Sequence, residues 1–197
     1  MKAKISALYT VPNMLTCSRF IMAPVMLWLA WHGYGDAFMF ILAIAFISDI
    51  LDGLVARVMK LSSPFGAMLD TWADLVIYLT IGFGSWWLWP DIVHREDRYL
   101  YIILACYLVP ATIATVKFDT YTGYHTWLSK AAAATIGLSL FPLFLFDIAW
   151  PFRLSVFLYI LAAVEQIALT LILPRLQYDV RSLWHWWWQH HSSKPKK

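Results

Sequence analysis

Charge is the scarcest commodity in this sequence. Only 14% of the 197 residues are Asp, Glu, Lys or Arg, while 61% are hydrophobic; a water-soluble domain carries about 25% charged residues. That shortage excludes an ordinary soluble globule and assigns most of the chain to lipid. Cysteine is nearly missing too. Cys17 and Cys106 stand alone in apolar stretches, which excludes a zinc cluster or disulfide framework and leaves them as small core residues. No sign of charge dominates, since 15 Lys and Arg face 12 Asp and Glu for a net +3; that is too little for a nucleic-acid partner. The segment Met1–Thr10 has two lysines but no long apolar run and no small-residue cleavage site, so no removable signal peptide is expected. No repeat or low-complexity linker divides the chain, and one membrane domain over residues 1–197 is expected.

What the sequence does hold is six apolar stretches of roughly 20 residues, the length of a membrane-crossing helix. The expected spans are 13–32, 37–58, 66–89, 98–117, 127–147 and 153–174, an all-α bundle over residues 13–174. It is preceded by a short segment, 1–12, and followed by a tail, 175–197. Pro24, Pro110 and Pro142 fall inside spans, which membrane helices tolerate because neighbours re-satisfy the freed backbone groups. Six crossings put Lys2, Lys4, Arg19, Arg57, Lys60, Lys117, Lys130, Arg175, Arg181, Lys194, Lys196 and Lys197 on one side. Only Arg95, Arg98 and Arg153 fall on the other. This bias predicts both termini in the cytoplasm and the loop Asp91–Arg98 outside. The tail, with Trp184, Trp186, Trp187 and Trp188 among His185, His190 and His191, reads as an interfacial tryptophan belt rather than a metal site.

Against this background four aspartates stand out. Asp49 and Asp52 lie in the cytoplasmic half of the second span, Asp70 and Asp74 in that of the third. Each carboxylate at mid-membrane costs around 2.5–3.5 kcal/mol on the insertion scale, so four within so short a stretch require a function. Spacings of three and four residues project each pair from one helix face. The short connection Leu61–Phe65 makes the two helices antiparallel, so the pairs can converge. Four carboxylates at close quarters repel one another unless a cation intervenes; an all-oxygen set suits Mg²⁺, Mn²⁺ or Ca²⁺, and two ions fit more comfortably than one. Gly53 and Gly66 leave room for close approach of a ligand or a helix. Arg57 can pair with phosphate or anchor the span at the membrane surface.

Together these residues read Asp49-x-x-Asp52-Gly53-x-x-Ala56-Arg57, then eight residues, then Gly66-x-x-x-Asp70-x-x-x-Asp74. This resembles, at every fixed position, the signature of the CDP-alcohol phosphatidyltransferase family, and the six-span layout is similar. The resemblance implies transfer of a phosphatidyl group from CDP-diacylglycerol to an alcohol, or of a phospho-base from a CDP-alcohol to diacylglycerol, with release of CMP. It implies one or two Mg²⁺ or Mn²⁺ ions on Asp49, Asp52, Asp70 and Asp74, with Asp74 also the general base, and a CDP site shaped by Gly53, Ala56, Arg57 and Gly66. It also implies a homodimer in a bacterial inner membrane, with the active site toward the cytoplasm. At the N-terminus Pro12-Asn13-x-x-Thr16-x-x-Arg19 resembles the bacterial phosphatidylglycerophosphate and cardiolipin synthases of the family. Asn13 and Arg19 then join the CDP-binding candidates, against the alternatives of helix cap and snorkelling cation.

Lys60, Lys117, His125 and Lys130 are candidates for an acidic acceptor such as glycerol 3-phosphate, the acceptor expected first; positive-inside anchoring explains the lysines equally. Phosphatidylglycerophosphate synthases usually carry an Arg-Glu pair near the start of the fourth span, where this chain has Arg98-Tyr99-Leu100. Phosphatidylglycerol, inositol or its phosphate, serine and choline therefore stay open as acceptors. Glu165, the remaining acid inside a span, reads as hydrogen-bonding to a neighbouring helix through Gln166, with lining the cavity as the alternative. A metal-ion or proton-coupled transporter also places acids in membrane helices, but along a path near the midplane and often in paired halves. Clustering near one surface, with Arg57 and two glycines at fixed spacing, favours the enzyme.

Overall fold

The computed structural model describes residues 11–59, 64–118 and 126–172. These residues are helical, with no strand among them, and form α1 (Val11–Trp31), α2 (Gly35–Val58), α3 (Pro64–Leu88), the short α4 (Pro90–Arg95), α5 (Asp97–Phe118), α6 (Trp127–Phe146) and α7 (Trp150–Ile172). Each long helix coincides with an expected span to within three residues. Its long apolar run can satisfy its backbone groups in lipid only by internal hydrogen bonding. Pro24, Pro110 and Pro142 are accommodated within α1, α5 and α6.

Five of the helices are long and apolar enough to cross a membrane, which marks an integral membrane protein. The remaining long helix, α3, has 25 residues but mixes its apolar residues with Asp70, Thr71, Asp74 and Thr80, and it falls outside that set. Large apolar side chains such as Ile21, Trp28, Phe40, Ile47, Phe83, Leu138 and Leu161 are exposed. A soluble domain does not show so much apolar surface, whereas lipid requires it.

The described residues divide into two compact units between Val93 and His94. In the first, α1 packs against both α2 and α3. Ala23, Met26 and Ala30 of α1 are buried with Phe38, Leu42 and Ala45 of α2 and Ala73 and Ile77 of α3. Small residues let the backbones approach, the usual device where lipid removes the hydrophobic driving force between helices. Gly84 belongs to the same device: a Cβ there would stand 2.4 Å from the Phe38 ring. The α1–α2 turn runs through Gly33 at φ +78°, a left-handed conformation that glycine adopts without a steric penalty.

In the second unit α7 packs on α5 and α6. Thr126 caps α6 by accepting from Ser129 N at 3.1 Å. The helix closes at Asp147, whose φ of 56° lets Ile148 N reach Pro142 O at 3.0 Å, a left-handed cap of the kind glycine usually fills. Glu96, at the start of α5, is 1% exposed. It accepts from Arg153 Nε at 2.9 Å and Nη2 at 2.7 Å and from Arg95 Nε at 3.1 Å. Arg95 also pairs with Asp147, and Arg153 lies over the Tyr99 ring at 5.5 Å. The arginines hold the Glu96 and Asp147 carboxyls below the usual carboxylate range. Glu96, within the expected outside loop Asp91–Arg98, is therefore the centre of an ion-pair clasp joining the ends of α5, α6 and α7.

Candidate active site

The site is built where the apolar stripes of three helices turn polar. On α1 the buried face formed by Ala30, Met26 and Ala23 continues as Arg19, Thr16 and Asn13, all buried and spaced at three residues. On α2 the face of Phe38, Leu42 and Ala45 continues as Ser48 and Asp52, again buried, with Asp49 beside them. On α3 Ile77 and Ala73 are flanked by Asp74 and Asp70. Helical periodicity keeps each polar group on the face that meets its neighbours.

Arg19 stands at the centre. Its Nη1 donates to Asp49 Oδ1 at 2.8 Å and to Asp74 Oδ1 at 2.5 Å. Its Nη2 donates to Asp52 Oδ2 at 2.6 Å and to Asp70 Oδ1 at 2.5 Å. One planar guanidinium thus touches four carboxylates from two helices, a use of its fork that an ammonium could not reproduce. Arg19 Nε, also buried, has no hydrogen-bond partner among the described residues. Thr16 Oγ1 donates to Asp52 Oδ2 at 2.9 Å. Ser48 Oγ donates to Leu15 O at 3.3 Å, fastening α2 to α1 beside the cluster.

The four carboxylates are not equivalent. The Asp52 side chain is only 7% exposed, whereas Asp49, Asp70 and Asp74 are 45, 42 and 37% exposed. One oxygen from each of these three lies within 4.8 Å of the others. Metal–oxygen bonds of about 2.0–2.6 Å to a hard divalent cation span that separation with little side-chain movement, and the donor set is oxygen alone. The residues therefore fit a hard divalent cation. A cavity of about 30 Å³, lined by Arg19, Phe46, Asp49, Asp74, Ile77 and Tyr78, adjoins the trio; it is roomy enough for one water-sized occupant.

The structure thus gathers Asp49, Asp52, Asp70, Asp74 and Arg19, with Asn13 buried on the same α1 face. Gly53 and Gly66 lie half-buried on α2 and α3. Ala56 and Arg57 lie on α2 with side chains outside the described ones; Lys60 and His125 lie outside the described residues altogether, as does the Trp/His tail. Lys117 Nζ donates to Thr170 O and Leu171 O at 2.8 and 3.0 Å, where a cation satisfies carbonyls at the C-terminal end of α7. Lys130 sits over the Trp127 ring at 6.0 Å. Thr16 and Ser48 were absent from the expected site. The signal for Thr16 was its register: three polar residues, Asn13, Thr16 and Arg19, on one face of an apolar helix.

With this geometry in hand, comparison with known proteins is specific. The model of the CDP-alcohol phosphatidyltransferase family matches residues 9–174. A probable cardiolipin synthase (CMP-forming) of Drosophila melanogaster is 33% identical over 66% of this chain and 47% of its own length. A CDP-diacylglycerol--glycerol-3-phosphate 3-phosphatidyltransferase of Cereibacter sphaeroides is 38% identical over 45% of this chain and 46% of its own length. A putative cardiolipin synthase of Mycobacterium tuberculosis is 32% identical over 44% of this chain and 46% of its own length. The chain spans less than half the length of each of these relatives. No solved structure matches it.

Proposed function

The chain belongs to the CDP-alcohol phosphatidyltransferase family, and from that premise we propose that it transfers a phosphatidyl group from CDP-diacylglycerol to an alcohol, releasing CMP. The observation that carries this reading is the convergence of Asp49, Asp52, Asp70 and Asp74 on one point between apolar helices. Four buried or half-buried acids are too costly to keep in lipid for packing alone. These aspartates hold one or two Mg²⁺ or Mn²⁺ ions, which when bound polarise the diphosphate and neutralise the charge developing on the CMP leaving group. Gly53, Ala56, Arg57 and Gly66 border the cytidine diphosphate, with Asn13 and Arg19 on the adjoining face of α1.

Asp74 is the general base. As the acceptor oxygen forms its bond to phosphorus in line, the bond from phosphorus to the CMP oxygen breaks, and the hydroxyl proton passes to the Asp74 carboxylate. The rest of the chain's contribution is positioning, because lipid donor and polar acceptor arrive from different phases. Six helices, α1, α2, α3, α5, α6 and α7, cross a bacterial inner membrane with both termini and the site toward the cytoplasm, and the working unit is a homodimer. Glycerol 3-phosphate is the acceptor proposed first. Phosphatidylglycerol, inositol, inositol phosphate, serine and choline are the alternative acceptors.

The test is CMP release by the purified protein in detergent with CDP-diacylglycerol and Mn²⁺ or Mg²⁺, against that panel of acceptors. Release that depends on one acceptor and disappears in Asp74→Asn is the expected result. An acceptor-independent or absent release, with the melting temperature unmoved by CMP in the presence of metal, would remove the reading, since a ligand of the native state raises stability by mass action.

A further inference from the structure

We infer that Arg19 is a resident counter-cation that a divalent ion must displace, so that metal loading and release of the guanidinium are a single event. This rests on the reading that the aspartate cluster is a metal site. Three of the four carboxylates that Arg19 grips, Asp49, Asp70 and Asp74, are the same three whose oxygens lie within 4.8 Å of one another. Its Nη1 lies between Asp49 and Asp74 and its Nη2 between Asp52 and Asp70, the positions from which a cation draws carboxylates together. The water-sized cavity beside the trio is lined by Arg19 as well as by Asp49 and Asp74, so an ion seated there also faces the guanidinium. An ion bound to these oxygens stands only a few Å from the guanidinium, where the two positive charges repel.

Two further features mark the guanidinium's seat as provisional. One positive charge faces four carboxylates, leaving the cluster at −3 if all are ionised. Meanwhile Arg19 Nε is buried without a hydrogen-bond partner among the described residues, a condition native structures rarely leave unexplained. The tip of the side chain is saturated and its stem is not. Once a metal takes over the carboxylates, the freed guanidinium is ready for an anion that both its stem and its tip can bind, and a nucleotide diphosphate is such an anion. Metal and donor then assist one another's binding.

The experiment is Mn²⁺ titration of the purified protein in detergent, without nucleotide, read by the loss of the free-ion electron paramagnetic resonance signal. Arg19→Gln should bind Mn²⁺ at least about tenfold more tightly than the wild type, the repulsion between a cation and a divalent ion a few Å apart having gone. Arg19→Lys, which keeps the charge but not the fork, should fall between them, and it serves alone if the Gln variant does not fold. Equal or weaker Mn²⁺ binding by the folded Arg19 variants overturns the inference while leaving the metal site standing. If neither the wild type nor the Arg19 variants bind Mn²⁺, the metal reading itself fails and takes the inference with it. Loss of binding in Asp74→Asn, run alongside, supports the assignment of the measured ion to this cluster.

Discussion

Thr16→Val is the most informative single change in the candidate site, because it removes a hydroxyl and almost nothing else. Thr16 and Asp52 are both buried, and Thr16 Oγ1 donates to Asp52 Oδ2 at 2.9 Å. Valine has nearly the same shape, so the packing of α1 on α2 survives. What disappears is one hydrogen bond to a carboxylate, worth about 1.5–3 kcal/mol. Before the ion arrives the same Asp52 oxygen keeps Arg19 Nη2 at 2.6 Å, so in the metal-free site the carboxylate is less well oriented rather than orphaned, and the lower part of that range applies. If the orientation of Asp52 limits metal binding, the loss translates to roughly tenfold in metal affinity, the low end of the usual effect of removing a group that orients a metal ligand. Isothermal titration with Mn²⁺ measures this directly. Thr16→Ser, which restores the hydroxyl and drops a methyl, should recover most of the affinity, a rescue that a merely structural role would not produce. Mn²⁺ affinity within twofold of wild type in Thr16→Val would refute the reasoning and reduce the hydrogen bond to helix packing.

Three further outcomes are expected. Asp74→Asn should reduce CMP release by about 10²–10⁴-fold, the range for a lost general base, while CDP-diacylglycerol binding survives; comparable turnover in the variant takes Asp74 out of that role. Glu96→Gln should destabilise the second unit by about 2 kcal/mol, since charge-assisted hydrogen bonds are lost but the two arginines left behind are partly solvated. The pH sign follows from the depressed Glu96 carboxyl: its contribution is fully present above the unfolded value of about 4.5 and is lost as pH falls through the lower folded value. The gap in thermal stability between wild type and Glu96→Gln should therefore be constant near neutrality and narrow in acid; a gap that widens in acid would be the wrong sign. Gly84→Ala should lower stability by about 1–3 kcal/mol through overpacking, because the new Cβ meets the buried Phe38 ring; an unchanged melting temperature would show that the ring yields freely.

The helices were legible because lipid leaves the backbone so few choices. An apolar run of the right length becomes a helix whatever its propensities, so the ends of α1 to α3 and α5 to α7 were readable to within three residues. The short helix α4 was not, since six residues carry no period to detect. Neither was the burial of Glu96. In the sequence it sits between Arg95 and Asp97 like any residue of a solvated loop; its second partner, Arg153, is 57 residues away, and no local pattern connects them. Lys117 shows the same limit. Its place near a helix end suggested either a ligand cation or an interfacial anchor, and only the three-dimensional arrangement brings Thr170 O and Leu171 O to its ammonium.

The convergence of the aspartates was readable from spacing alone, but the position of Arg19 was not, and the difference has a physical source. Spacing on two antiparallel helices fixes which faces meet; it says nothing about a third helix that inserts its own charge between them. Yet some cation had to be there. Four ionised carboxylates, three of them half-open and one buried, would not hold α2 and α3 against α1 in lipid by apolar contact alone. Arg19 sets one positive charge against four carboxylates, and its Nε has no hydrogen-bond partner among the described residues. A side chain selected only to stabilise the bundle would be better served by complete pairing, or by an apolar core without the acids, since buried ion networks seldom outperform hydrophobic packing. The incompleteness is what a site that must later accept a divalent cation requires. The same residue keeps the bundle together before that cation arrives, and by doing so it sets how tightly the cation can bind.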